Sequence, residues 1–356
     1  MADPAKPVTD QDSKPTGSSP LILRPAHSLA ALDEASDLRR LPRAPNRRRS
    51  EIFTSRFEAR ILFYDCFWHE TGDRILLIGP PPFNLEPHHS AAVFTALPSG
   101  SNLTGTRYTS RSTMMTVLEG APADTEAIQI EFADQRFTLP VQTNLSANLA
   151  GSRVMFTMSK DNALAWIDSW ARWHVEAHGV DAIIFIDNGS TRPDSRAVEE
   201  CLSAIPGLQT LVMIDWPYRY GATDTGVIMH RFWAQFLQVS AMNLVLRRFG
   251  AQADGILNCD VDELVAPCSE GTAFDLLGTS EIGYAQLAGQ WVETHTLVAA
   301  APEMRSHFDY THVDRSFLSH LSPAKWAIDP RKDWLQALDV FPYMHDVKHP
   351  PKGSRP

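Results

Sequence analysis

The chain has 356 residues, of which 44% are hydrophobic and 21% charged, and this length suffices for two ordinary domains with a sizeable core. Its 42 acidic and 32 basic residues give a net charge of −10, which argues against nucleic acid as the main partner because phosphate binding requires a basic surface. The four cysteines, Cys66, Cys201, Cys259 and Cys268, lack zinc-binding spacing; they favour a reduced, cytosolic setting and leave one or two disulfides open.

Residues 1–50 are rich in Pro, Ser and Asp, and they carry nine Lys/Arg against six Asp/Glu. This composition predicts a disordered tail with a short helix around residues 29–41. The basic cluster at its end favours a solvated linker, and peripheral contact with the inner face of an anionic membrane is the alternative. No apolar run approaches the ~18–20 residues of a membrane span, and the first residues lack the apolar core of a signal peptide. We therefore expect a cytoplasmic protein.

Residues 51–150 consist of short runs of β-branched and aromatic residues separated by turn clusters. Predicted strands cover residues 59–66, 74–78, 92–96, 114–118, 127–132 and 136–141. Short strands at hairpin spacing are typical of a small antiparallel, sandwich-like accessory domain. Its histidines, His69, His88 and His89, are metal-ligand candidates, but scattered histidines in such a domain are more often surface residues. We predict no chemistry in this region.

Residues 151–356 alternate between strand and helix, which predicts an α/β domain with a mainly parallel sheet and right-handed crossovers. The predicted strands are residues 154–158, 182–186, 208–214 and 255–259, and the predicted helices are residues 163–177, 195–204 and 230–249. Asp161 or Asn162 is expected to cap the first helix, and Gly179 to end it. Three tryptophans on that helix, Trp166, Trp170 and Trp173, are spaced for one face and favour core packing.

Three strands end in polar residues: Ser159-Lys160-Asp161, Asp187-Asn188-Gly189-Ser190 and Asp260-Val261-Asp262-Glu263. Parallel sheets bind ligands at the carboxyl ends of their strands, so these groups are expected to converge there. The alternation of an extended chain places Asp260 and Asp262 on one side. Two close carboxylates repel each other unless a cation or a proton lies between them, and a hard divalent ion would resolve the repulsion. Taken alone, the motif is more typical of an acidic loop that faces water.

The order of these blocks resembles one enzyme family. Lys160-Asp161-Asn162, Trp173-His174, Gly179-Val180-Asp181 and Asp187-Asn188-Gly189-Ser190 are followed by Asp260-Val261-Asp262-Glu263, Lys325-Trp326 and His345. This series is similar to the family-2-like and family-92-like glycosyltransferases of the GT-A fold, over roughly residues 153–345. Three features depart from the family pattern: Asp161-Asn162 replaces the usual Asn-Glu, residues 282–322 match poorly, and the chain ends soon after His345.

The resemblance implies a donor site for a nucleotide-diphosphate sugar, most simply a UDP-sugar, with Mn²⁺ or Mg²⁺ on the diphosphate. Asp262 is the expected direct metal ligand, with Asp260 on the metal, a water or the donor ribose, and His345 could complete the coordination. Other expected donor contacts lie at the first two strand ends: Lys160, Asp161, Asp187, Asn188 and Ser190. For Lys160, a surface position at a helix start is equally consistent.

An inverting transferase needs a carboxylate that takes the proton of the acceptor hydroxyl, whereas a retaining one does not. Glu293 is the candidate, Asp309 and Asp314 compete with it, and a solvated Glu is the simpler interpretation. Aromatic residues at 216–220 and Trp291 could stack against sugar rings, although packing is the default for each. The expected acceptor is a glycan or a lipid-linked molecule in surface polysaccharide synthesis.

Two other classes of protein remain open. A nucleotidyltransferase would also bind a metal ion and a nucleotide at the strand ends. It usually has a Gly-rich phosphate loop, however, and Ser159-Lys160-Asp161-Asn162 contains no glycine. A catalytically degenerate transferase domain could instead bind a glycan together with the β-domain. The intact acidic motif argues against the second alternative, while Asp161-Asn162 and the short C-terminal end favour it.

Overall fold

A computed structural model describes residues 19–222, 233–313 and 321–348. Its strands are β1 (Leu21–Leu23), β2 (Ala30–Ala31), β3 (Ile61–Phe63), β4 (Asp65–Trp68), β5 (Arg74–Gly79), β6 (Val93–Leu97), β7 (Ser101–Leu103), β8 (Gly105–Thr109), β9 (Met114–Glu119), β10 (Ala127–Phe132), β11 (Gln135–Pro140), β12 (Arg153–Ser159), β13 (Ala182–Asp187), β14 (Thr210–Asp215), β15 (Gly255–Asn258), β16 (Tyr284–Gln290), β17 (Leu321–Ile328), β18 (Phe341–Pro342) and β19 (Val347–Lys348). Its α-helices are α1 (Glu51–Arg56), α2 (Glu86–Ala91), α3 (Leu164–His178), α4 (Ser195–Ser203), α5 (Phe236–Leu244), α6 (Ala273–Thr279) and α7 (Asp333–Gln336). A π-helical turn, Val245–Phe249, continues α5, and short 3-10 helices occur at Phe83–Leu85, Ser146–Leu149, Pro302–Met304 and His307–Asp309.

The central sheet has seven strands among the described residues, in the order β1-β14-β13-β12-β15-β17-β16. Five neighbouring strands of this sheet are parallel: β1, β14, β13, β12 and β15. Strand β17 is antiparallel to both of its neighbours, β15 and β16. This arrangement confirms the prediction of a mixed α/β fold with a mainly parallel sheet. The chain builds outward from β12 through β13 to β14 and then returns to place β15 on the other side of β12. The strand order therefore reverses between β12 and β15, and such a switch point is where sheets of this kind bind ligands.

Apolar packing explains why these strands form. All six residues of β13 are buried, as expected for a strand that is covered on both faces. One face packs against α3 and α4, where Trp170, Leu202 and Ile183 belong to one apolar cluster. Of the three tryptophans predicted for the core, Trp170 is fully buried, whereas Trp166 and Trp173 are only partly buried. The core face of α3 is therefore narrower than its tryptophan spacing suggested.

The helix boundaries differ from prediction at two places. The residue that caps α3 is Ala163, and no side chain caps it, so the prediction of an Asp161 or Asn162 cap is wrong. Asp161 has a φ of 55° and its carboxylate instead accepts the backbone N–H of Thr191 at 2.7 Å. The helix predicted for residues 230–249 begins only at Phe236 in the described part of the chain, since residues 233–235 are not helical and residues 223–232 lie outside it.

Two further four-stranded antiparallel sheets, β4-β5-β9-β8 and β11-β10-β6-β7, occupy residues 51–150, as the hairpin spacing predicted. One apolar cluster nevertheless crosses the predicted domain boundary near residue 150. It contains Phe67 and Leu76 of the β-sheets together with Val154 and Ile184 of the central sheet. The β-sheets therefore pack against the central sheet through a shared core.

A buried ion pair joins the same two regions. Arg248, in the π-helical turn, lies 2.7 Å from Asp65 in β4, and their side chains are only 3% and 0% exposed. Arg248 also donates hydrogen bonds to the carbonyl oxygens of Ala26 and Thr143, while Asp65 accepts the backbone N–H of Ser28 and of Cys66. The contacts of this pair reach residues 26–28, β4 and Thr143, so the pair ties the N-terminal segment and the β-sheets to the π-helical turn of the α/β region.

The prediction of a disordered tail is wrong for residues 19–50. The apolar run Leu21–Leu23 forms β1, which pairs in parallel with β14 because that edge of the sheet offers unpaired backbone groups. The helix predicted around residues 29–41 is absent, and β2 pairs with β3 there instead. Arg40 is not a surface charge either: its side chain is buried and donates to the carbonyl oxygens of Pro81 and Glu58. Residues 1–18 lie outside the described part of the chain.

Candidate metal and donor site

The acidic motif lies directly after β15, at the switch point of the sheet. Ligand oxygens of Asp260, Asp262 and Glu263 lie within 4.8 Å of one another. The turn that brings Glu263 back toward Asp260 is closed by the Glu263 N–H, which donates to the Asp260 carbonyl oxygen at 3.1 Å. Across residues 19–222, 233–313 and 321–348, this is the one group of three or more acidic, His or Cys side chains placed closely enough to hold a metal ion.

Lys325 of β17 points into this group. Because Asn258 pairs with Trp326 in the antiparallel ladder, Lys325 lies one residue past the last pair, beside the start of the acidic motif. Its ammonium group donates to the carboxylate of Asp260 and lies 3.1 Å from Glu263 Oε2. Asp262 has no ion-pair partner among the described residues. The site therefore combines three carboxylates with one ammonium group.

Burial and mutual repulsion change the proton affinity of these groups. Partial burial raises the pKa of Asp262, and the charge of Asp260 raises it further. Burial also raises the pKa of Glu263, although Lys325 opposes this change. For Lys325, burial alone would lower the pKa, but Asp260 and Glu263 outweigh it and raise the pKa. The cluster is thus short of positive charge around Asp262, which is the condition that a bound cation would relieve.

Three side chains of α3 clamp the chain just beyond the acidic motif, at Val265. Its carbonyl oxygen accepts the Trp173 Nε1–H at 2.6 Å and the His178 Nε2–H at 2.8 Å. Its N–H donates to His174 Nε2 at 3.2 Å, while His174 Nδ1–H donates to the Trp170 carbonyl oxygen at 2.8 Å. His174 is therefore neutral, and burial lowers its pKa to about 3. Helix α3 holds the end of the acidic loop through this clamp.

A fourth side chain, His307, also holds the acidic loop. His307 Nε2–H donates to the carbonyl oxygen of Val261, between the two aspartates, at 2.8 Å. Its Nδ1 lies 2.7 Å from the Ser169 hydroxyl of α3, and its ring packs against Trp166. The segment after β16 is thereby linked both to α3 and to the acidic motif.

The polar residues after β13 form one hydrogen-bonded loop with those after β12. Asp187 accepts the Ser190 N–H at 2.8 Å, and the Ser190 hydroxyl accepts the Asp161 N–H at 3.0 Å. The Asn188 amide donates to the carbonyl oxygens of Trp216 and Tyr218, both at 2.8 Å. The structure therefore brings the first two predicted strand ends together, and it shows a structural role for each of these side chains. Lys160 is exposed beside them.

His345 and Glu293 lie at the same edge of the sheet. His345 Nδ1–H donates to the Ala324 carbonyl oxygen at 3.1 Å, and His345 is not part of the closely spaced acidic group. Burial, and then the charge of Lys325, lower its pKa, so its imidazole is neutral. Glu293 follows β16 in an exposed loop, where its N–H donates to the His312 carbonyl oxygen at 2.7 Å. Of its competitors, Asp309 closes a short 3-10 turn, and Asp314 lies outside the described residues.

The aromatic candidates separate into two groups. Trp216 is fully buried, so it cannot stack against a sugar. Tyr220 and Trp291 are exposed. The histidines of residues 51–150 lie elsewhere, with His88 and His89 of α2 packed against Phe132. All four cysteines are free thiols.

Sequence reasoning missed the parts of this site that come from distant segments. In the sequence, Lys325 belonged only to one of the blocks that resemble the glycosyltransferase family. Nothing in the residues next to it along the chain predicts contact with Asp260. The clamp of His174, His178 and Trp173 on Val265 was likewise missed. Its sequence signal was the spacing of His174 and His178, since two histidines four residues apart share a helix face.

No protein-family description and no curated protein sequence matches this chain. The resemblance to glycosyltransferases therefore stays a prediction. In the described residues, no helix combines the length and the apolar character that crossing a membrane requires.

Proposed function

We propose that this chain is a metal-dependent glycosyltransferase that moves a sugar from a nucleotide-diphosphate donor to a hydroxyl group of a glycan or lipid-linked acceptor. The observation that carries the proposal is the position of Asp260, Asp262 and Glu263, close together at the switch point between β12 and β15. Ligands of α/β sheets bind at this position. The resemblance of the ordered sequence blocks to GT-A enzymes supports the same reading.

The residues present fit a divalent cation. They offer carboxylate oxygens, which suit Mg²⁺ and Mn²⁺, and Asp262 has no ion-pair partner among the described residues. Asp262 and Asp260 would hold the metal, and the neutral imidazole of His345 lies at the same sheet edge as a further candidate ligand. When bound, the metal would neutralise the charge that develops on the leaving diphosphate.

The chain's own residues would orient the donor and the acceptor. The hydrogen-bonded loop of Asp161, Asp187, Asn188 and Ser190 offers a preformed wall for the nucleoside, with Lys160 exposed at its side. Glu293 is the candidate base, because β16 runs in the same direction as β15 and so delivers Glu293 to the same edge of the sheet. The exposed Tyr220 and Trp291 rings are available for sugar contacts.

The test measures donor binding by thermal shift and calorimetry across a panel of nucleotide sugars, with Mn²⁺ or with EDTA. We expect one donor to bind only when Mn²⁺ is present. In Asp262→Asn this binding should weaken by more than the ~10–100-fold that loss of an outer-shell group costs. Asp124→Asn, an exposed carboxylate in the β-region, is the matched control and should bind as the wild type does.

Other outcomes identify other functions. Unchanged donor binding in Asp262→Asn would contradict the metal assignment. Release of pyrophosphate from a nucleoside triphosphate would indicate a nucleotidyltransferase, and binding of glycans without any donor binding would indicate a degenerate binding protein.

A further inference from the structure

Lys325 takes a position that a metal ion would have to share. It extends from β17, its side chain is 8% exposed, and it contacts two of the three carboxylates of the site. Its four-carbon stem comes from a strand held on both sides, by β15 and by β16. The ammonium group is thus a built part of the cluster.

The charges of the site make the ammonium group and a divalent cation competitors. Three carboxylates and one ammonium group leave a net charge of −2 when all are ionised. A cation that coordinated Asp260 or Glu263 would displace Lys325 from its hydrogen bonds and lie close to its positive charge, which is unfavourable. Asp262 alone offers a single carboxylate, and hard cations bind weakly to a single group.

We infer that Lys325 is an internal counter-ion that moves from Asp260 and Glu263 to the diphosphate of the donor, so that metal and diphosphate bind cooperatively. This inference rests on the proposed function. A phosphate group is a suitable second partner because lysine binds phosphate as a mobile point charge. By reciprocity, whatever factor the diphosphate adds to metal affinity, the metal adds to diphosphate affinity.

The first experiment measures Mn²⁺ affinity in the absence of nucleotide, from the paramagnetic resonance signal of free Mn²⁺. Lys325→Met removes the competing charge and keeps most of the side-chain volume. We expect it to bind Mn²⁺ about tenfold more tightly than the wild type, within the ~5–150-fold range of ordinary coupling. Lys332→Met changes the net charge of the protein equally at the N-cap position before α7, and it should leave Mn²⁺ affinity unchanged.

The second experiment measures UDP affinity with and without saturating Mn²⁺ by calorimetry. The ratio of the two affinities should be about tenfold smaller in Lys325→Met than in the wild type, because the variant no longer has a charge to transfer. Lys325→Gln is the second variant if Lys325→Met does not fold, as judged by circular dichroism, and the same changes are expected.

The outcomes distinguish this inference from the proposed function. Equal or weaker Mn²⁺ binding in both Lys325 variants, with binding still abolished in Asp262→Asn, overturns the counter-ion role and leaves the metal site standing. Absence of Mn²⁺ binding in the wild type and in both variants, with and without UDP, overturns both. Tighter Mn²⁺ binding in Lys332→Met as well would show a general charge effect and would also overturn the inference.

Discussion

Replacement of Arg248 by methionine should lower the free energy of unfolding by about 3–5 kcal/mol, because it leaves the Asp65 carboxylate buried without its partner. Asp65 is fully buried, and Arg248 also holds the carbonyl oxygens of Ala26 and Thr143. The loss should appear as a lower urea midpoint at neutral pH. Since the pair links the central sheet to the β-sheets, we expect both regions to lose stability together.

A surface ion pair is the control for this measurement. Arg331 bridges Asp254 and Asp329, but its side chain is 50% exposed. Arg331→Met should therefore cost less than about 1 kcal/mol. Equal effects of the two substitutions would show that the buried pair has no special role. Asp65→Asn alone and together with Arg248→Met completes the double-mutant cycle that measures the coupling energy of the pair.

Acid should destabilise the fold through His174. The folded-state pKa is about 3, whereas the ordinary value is 6.5, so the unfolded chain takes up a proton that the native clamp excludes. The stability that neutral His174 contributes is complete above the pKa of the unfolded chain, and it is lost as the pH falls from 6.5 toward 3. Between pH 7.5 and pH 5, His174 should account for a loss of about 2 kcal/mol. Burial also lowers the pKa of His178 and of His307, so both add to the loss.

Urea unfolding at pH 7.5 and pH 5 measures this effect. His174→Gln, which cannot be protonated, should have a pH dependence that is smaller by about 2 kcal/mol. Trp173→Phe removes another hydrogen bond to Val265 without changing titration, and it should destabilise the protein equally at both pH values. An unchanged pH dependence in His174→Gln would contradict the proposed proton linkage.

Local sequence patterns predicted the strands that have a clear hydrophobic pattern. The prediction of residues 127–132 matches β10 in full, and that of residues 182–186 misses β13 by one residue. Both strands have a clear hydrophobic pattern: apolar and polar residues alternate in β10, and β13 contains a continuous apolar run. The predictions failed where tertiary contacts compete with local preference, as at Asp161, whose carboxylate binds the loop after β13 instead of capping α3.

The N-terminal segment shows the same limit. Residues 19–50 have a composition that is typical of disorder, yet Leu21–Leu23 adds to the edge of the central sheet next to β14. The pairing depends on a strand almost 190 residues away, as Leu21 pairs with Thr210. Composition describes the segment's own tendency to bury surface, and it carries no information on a partner of this kind.

The sequence by itself determined the alternation of strand and helix, the mainly parallel sheet and the acidic turn after β15, because each depends on residues within one short window. Only the tertiary structure decided what surrounds that turn. Lys325 lies 65 residues from Asp260, and His174 lies 91 residues from Val265. Contacts across such separations follow from strand order and packing, which no local pattern encodes. The ammonium group of Lys325 within the acidic site is the clearest product of that strand order.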